Sequence, residues 1–247
     1  MNSPAGLRRF VPGAAGAPPG AAGAPPGTPG GLSAPARPPL PGDAALAGRA
    51  QQPPPTATEE ACEMCSAAIP ADHGHVADLE RSSLLCTCRA CYLLFTRPDA
   101  GRGRYRAVPE RCLSDPRRPL SVAEWEALEI PVGLAFFLYM SAQEQVTGFY
   151  PSPAGVTECR LDLGAWQRIA DAHPLLAQAE PDVEAVLIHR TDDGVEHFLV
   201  PIDSCYELAG RMRMLWRGFD GGTEARQSID EFLGEVRRRA RPLREEP

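Results

Sequence analysis

Cys62-Glu63-Met64-Cys65 and, after twenty-two intervening residues, Cys88-Arg89-Ala90-Cys91 decide how the folded part of this 247-residue chain begins. Two thiolates two residues apart sit on one tight turn and face one point, and two such pairs complete a tetrahedral sulfur cage. The spacing therefore predicts a metal module holding zinc on Cys62, Cys65, Cys88 and Cys91, against the blander reading of buried thiols or disulfides. Iron in the same cage is the alternative, because a tetrahedral four-sulfur site suits either metal. A rubredoxin-type knuckle usually turns under its sulfurs on a glycine, and Ser66 and Tyr92 follow Cys65 and Cys91 instead, which counts against iron.

The residues between the pairs give the module its shape. His75 to Leu79 alternates like a half-buried strand, Glu80 to Ser83 is polar enough to turn, and Leu84 to Thr87 returns as a second strand. Arg89 to Phe95 contains good helix formers and starts a helix at the second knuckle. Knuckle, hairpin and helix make a treble-clef-like or zinc-ribbon-like order. Cys86, His73 and His75 are held in reserve as ligands: Cys86 competes with Cys88, and a histidine in a polar loop is more often solvated or capping than ligating. A nuclease of the HNH type would need further catalytic positions, yet the chain's one asparagine is Asn2 and no histidine follows Cys91 before His173.

Composition separates the rest of the chain. Residues 1–58 carry fourteen prolines, ten glycines and the tandem repeat GAAGAPP, too little apolar surface to offset chain entropy, so a disordered extension is expected there. Arg8-Arg9 is followed by Pro12-Gly13 and further prolines, so no signal peptide is read, and no apolar run is long enough to span a bilayer. Eight cysteines without an export signal point to a reducing, cytoplasmic location. All 25 basic residues are arginine, and residues 59–247 hold 21 of them against 31 acids. That negative body argues against nucleic acid as a partner.

The expected organisation is a four-cysteine metal-binding module over 59–97, an irregular connector over 98–120, an α+β domain over 121–241 and a tail over 242–247. In the connector, Cys112 reads as a small buried hydrophobe and Tyr105 as a packing or stacking residue. Ser121-Val122-Ala123-Glu124 has capping-box spacing and opens a short helix that Pro131 stops. Val132 to Tyr139 and Val146 to Tyr150 read as paired strands, and Asp162 to Ala172 as a helix burying Leu163, Trp166, Ile169 and Ala170. The same order recurs in Val183 to His189, Val195 to Val200 and a helix from Asp203 to Arg217. Pro151 and Pro201 end the second strand of each pair and Trp166 and Trp216 lie in the helices, each couple fifty residues apart, which suggests two β-β-α units. A last helix from Thr223 to Arg239 buries Ile229, Phe232, Leu233 and Val236.

No GxSxG, no glycine-rich loop with a following lysine and no HExxH occurs, so no catalytic residues are assigned. Cys205 is the reactive-thiol candidate, since the first turn of a helix lowers a thiol pKa. His189 and His197 flank the Asp192-Asp193-Gly194 turn; a three-residue loop would set them opposite each other, where cross-strand packing competes with a second metal.

The motifs Cys62-Glu-Met-Cys65, His73-Gly-His75 and Leu84 to Phe95, with Gly103-Arg-Tyr-Arg106, Ile130 to Phe137, Tyr150 to Gly155, Val200 to Tyr206 and Trp216-Arg-Gly218, resemble an uncharacterised bacterial family of unknown function. The resemblance covers nearly everything after residue 58. It implies an accessory role, because genes of that family often stand beside those for high-affinity uptake nickel-iron hydrogenases, and it carries no catalytic residues. It places the cysteine cluster on Cys62, Cys65, Cys86, Cys88 and Cys91. The expected function is therefore a non-enzymatic, zinc-stabilised accessory protein that docks a protein partner, and the resemblance implies hydrogenase subunits or maturation factors as that partner. A rubredoxin-like iron redox protein is the alternative.

Overall fold

Residues 74–87 build the hairpin that the alternation predicts. In the computed structural model, which describes residues 60–97, 100–218 and 220–244, β1 (Gly74–Asp78) and β2 (Ser83–Thr87) pair antiparallel. The proline- and glycine-rich extension expected over 1–58 lies outside the described residues. Helix α1 (Arg89–Leu94) follows with Cys88 at its N-cap. Treble-clef order is thus realised: knuckle, hairpin, then a helix carrying the second cysteine pair.

The stretch read as an irregular connector supplies strands. β3 (Tyr105–Ala107) joins β1 on the side away from β2, completing a three-stranded sheet, and β4 (Leu113–Ser114) enters the large sheet. Segments of three and two residues are too short to show a period, so their pairing is set by neighbours rather than by local pattern. Arg104, just before β3, donates to both carboxylate oxygens of Asp78 at 3.1 and 2.7 Å. Asp78 is almost wholly buried, and that guanidinium keeps its carboxyl below the usual range.

Among the described residues the second sheet has seven strands. Its remaining members are β5 (Leu134–Met140), β6 (Gln145–Ser152), β7 (Gly155–Cys159), β8 (Glu184–Thr191), β9 (Gly194–Pro201) and β10 (Arg241–Pro242). Their order is β10-β4-β9-β8-β5-β6-β7, antiparallel throughout except for the β10–β4 pair. The middle strands are continuously apolar because both faces are covered. Leu134, Phe136, Ala185 and Leu187 face one core, and Ala135, Phe137, Val186 and Ile188 the other.

Helix α5 (Ile202–Leu215) and helix α6 (Gly222–Arg239) cover the first face through Leu208, Met212, Phe232 and Leu233. Helices α2 (Val122–Glu126), α3 (Leu163–Ala172) and α4 (Pro174–Ala177) cover the second through Trp125, Trp166, Ile169 and Leu175. Each fully buried Leu or Met side chain contributes roughly 1.5–3 kcal/mol. Ser121 caps α2 in the expected capping box, and Asp162 caps α3 by accepting from the backbone N–H groups of Gly164 and Ala165 at 2.8 and 3.0 Å.

The strand pair followed by a helix does recur, with differences. Strand β7 intervenes between β6 and α3, and α3 and α5 pack on opposite faces of the sheet. Pro151 does not end β6: it pairs with Val156 of β7, beyond the last β5 partner at Phe149, where a missing N–H is tolerated. Trp166 is inside α3 while Trp216 only caps α5, and Leu163 is exposed.

Candidate metal centre

The first knuckle is a turn stapled at its base. Ala61 and Ala68 form an antiparallel bridge, the Cys62 N–H donates to the Ala67 carbonyl at 2.7 Å, and the Ser66 N–H donates to the Cys62 carbonyl at 2.8 Å. Ser66 takes the left-handed conformation, φ 63°, that glycine would fill without strain. The turn therefore forms on serine, and the missing glycine does not prevent it. The second knuckle uses the start of α1, where the Tyr92 N–H donates to the Cys88 carbonyl at 2.9 Å and Cys91 lies in the first turn.

These turns bring the four sulfurs of Cys62, Cys65, Cys88 and Cys91 within 4.8 Å of one another. Cys65 and Cys88 Sγ are 3.7 Å apart. A tetrahedron with metal–sulfur bonds of about 2.3 Å has sulfur–sulfur edges of about 3.8 Å, so the group can hold a metal ion with little movement. Cys62 and Cys91 face inward, packed with Ile69 and Met64, while Cys65 lies at the surface.

Crowding four thiols divides their acidities. Burial raises the Cys62 thiol, but backbone N–H groups of Cys88, Met64 and Cys65 outweigh it and hold the pKa at about 6. Cys91 goes the other way, to about 12, through its contact with Cys65 and through burial. Cys65 is also raised. One thiolate makes the next harder to form, and a bound cation removes that conflict.

Of the reserve residues, Cys86 does not enter the cage. It sits on β2 beside His73 and His75, whose donor atoms lie with its sulfur in a separate group. Its backbone N–H donates to Glu63 Oε2 at 2.8 Å, and its carbonyl accepts from the Glu63 N–H at 2.9 Å, so the first knuckle is bonded to β2. Glu63 was not singled out from the sequence, although its place inside the first CxxC pair is the only local signal. Asp203, which meets His75 Nδ1 at 3.0 Å, is 128 residues away and left no such signal.

Two other expectations need correction or qualification. His189 and His197 are not opposite each other: the loop is only Asp192 and Asp193, so His189 pairs with Glu196 and His197 with Ile188. The one-residue difference sends the two rings to opposite faces, and no metal pair forms there. Cys205 does lie in the first turn of α5, but it is 2% exposed, and burial pushes its thiol up rather than down.

A family comparison matches residues 61–240 to a family of unknown function, DUF5947. The chain belongs to this family. The matched region opens beside Cys62 and closes after α6, taking in the four cysteines, the small sheet and all of the large sheet except β10. No curated protein and no solved structure matches the chain. No helix among the described residues is long and apolar enough to cross a membrane.

Proposed function

We propose that this is a non-enzymatic accessory protein in which zinc on Cys62, Cys65, Cys88 and Cys91 fixes a small module that docks a protein partner. The observation that carries this reading is the set of four sulfurs lying within 4.8 Å of one another, with those of Cys65 and Cys88 3.7 Å apart. Four protein ligands leave no position for substrate, which is the arrangement of structural rather than catalytic zinc. Leu93 and Leu94, 50% and 65% exposed on α1 directly after the cage, supply apolar contact for a partner. The partners proposed from the family resemblance are nickel-iron hydrogenase subunits or their maturation factors.

Iron in the same cage is the second reading, supported by the left-handed turn at Ser66. Metal analysis with a visible spectrum separates the two. A colourless protein with stoichiometric zinc supports the first reading, and a reddish, reducible one replaces it. Co-purification from native cells tests the partner: hydrogenase components should be retained by the wild type and lost with Leu94→Asp at unchanged metal content. Their absence from the wild-type eluate would overturn the assignment of partner.

A further inference from the structure

His73, His75 and Cys86 share one side of the hairpin. His75 and Cys86 are direct cross-strand partners in β1 and β2, and His73 lies two residues before His75, so strand periodicity sends the three side chains the same way. One donor atom from each comes within 4.8 Å of the other two, and the imidazole centroids are 5.0 Å apart.

Both rings are already oriented by outer partners. His73 Nδ1 is 2.8 Å from the Pro70 carbonyl oxygen, so that nitrogen carries the hydrogen it donates. His75 Nδ1 lies 3.0 Å from Asp203 Oδ2, at the start of α5, and donates to it in the same way. With Nδ1 so engaged, Nε2 is the nitrogen each ring has left for a metal ion. His73 Nε2 is buried without a hydrogen-bond partner, in a side chain only 7% exposed. Such an orphaned acceptor is costly, and a cation satisfies it.

We infer that His73, His75 and Cys86 form a second metal site, distinct from the four-sulfur cage, that binds a divalent ion of the cobalt–zinc type and leaves one coordination position open. Two imidazoles and a thiolate suit a borderline-soft divalent ion. Three protein ligands are the open arrangement, in which water or a donor from another molecule completes the tetrahedron. The Pro70 carbonyl and the Asp203 carboxylate occupy the places where metal-bound imidazoles ordinarily hydrogen-bond. The two sites are neighbours along the chain, through Cys86 on β2 and Cys88 just after it, but share no ligand.

The test uses the full-length chain, purified without chelators, equilibrated with excess Zn2+, desalted and analysed for zinc. The wild type should hold two ions per chain, and Cys86→Ser and His73→Gln should each hold one. Asp203→Asn should weaken the second ion about 10–100-fold while leaving the first unchanged. If Cys86→Ser does not fold, as judged by circular dichroism, His73→Gln at the edge of the hairpin decides. A wild type with one zinc that is kept in both Cys86→Ser and His73→Gln overturns this inference and leaves the cage intact. Two ions retained in both Cys86→Ser and His73→Gln overturn it as well, and a wild type with none removes both sites.

Discussion

Arg111 grips the carboxylate of Glu184 with two parallel bonds, Nε to Oε1 at 2.5 Å and Nη2 to Oε2 at 2.6 Å. Glu184 opens β8 and is wholly buried, whereas the arginine is 39% exposed. Removing the guanidinium takes away both of these bonds and leaves a buried charge that the Glu180 N–H still meets at 2.9 Å. Losing one partner of a fully buried pair costs about 3–5 kcal/mol, and solvent beside the arginine reduces this to about 2–3 kcal/mol for Arg111→Ala. Urea unfolding should show that loss, and adding Glu184→Leu should restore part of it.

Cys91→Ser replaces an inward-facing ligand and should abolish stoichiometric binding at the four-sulfur cage. Structural metal binding is coupled to folding, so loss of the ion should also lower the thermal midpoint and the solubility. Elemental analysis beside circular dichroism checks both. Unchanged metal content in Cys62→Ser and Cys91→Ser would refute the ligand assignment.

His197 gives the fold a defined acid sensitivity. Burial, reinforced by His173 nearby, lowers its pKa to about 4, while Asp115 and Glu124 act weakly in the other direction. Between pH 6.5 and 4 the unfolded chain takes up a proton that the folded chain refuses, so stability falls as pH drops through that window. The loss is about 1–3 kcal/mol. Urea midpoints at about pH 7, 5.5 and 4 should fall more steeply for the wild type than for His197→Phe, a comparison in which shared acid loss of metal cancels. Glu124 acts lower still. Burial raises its pKa, but bonds from Ser121 and His173 prevail and hold it at about 2, so its contribution disappears only as pH falls from about 4.5 towards 2.

Gly155 begins β7 at φ 101°, and a Cβ there would stand 2.8 Å from the Ala209 carbonyl oxygen in α5. Gly155→Ala therefore combines backbone strain with a clash against helix backbone and should cost about 2–4 kcal/mol. Gly194 also has positive φ but open space around it, so Gly194→Ala should cost about 1–2 kcal/mol. Thermal melts that reversed this order would contradict the packing of α5 on β7.

Elements with a strong local signal were readable from the chain alone. The paired CxxC spacing located the four cysteines whose sulfurs come together, alternation located β1 and β2, the Ser121 to Glu124 spacing located α2, and apolar periodicity located α5 and α6. Elements set by distant neighbours were not. β3 and β4 are three and two residues long and exist because a longer strand lies beside them, β10 is two residues long and pairs with β4, and β7 is hidden when Pro151 is read as the end of its strand. The His189 and His197 register failed on one residue of loop length. The meeting of His75 with Asp203 depends on how the hairpin rests on α5, which no window of sequence contains.

That resting place has a cellular corollary. Ala77 of β1 and Leu84 of β2 belong to the same apolar cluster as Ile202, Cys205 and Leu208 of α5, so the small lobe is a wall of the main core rather than an appendage. Starving a cell of the caged ion should then remove the whole protein through proteolytic turnover, instead of leaving a half-working form to accumulate.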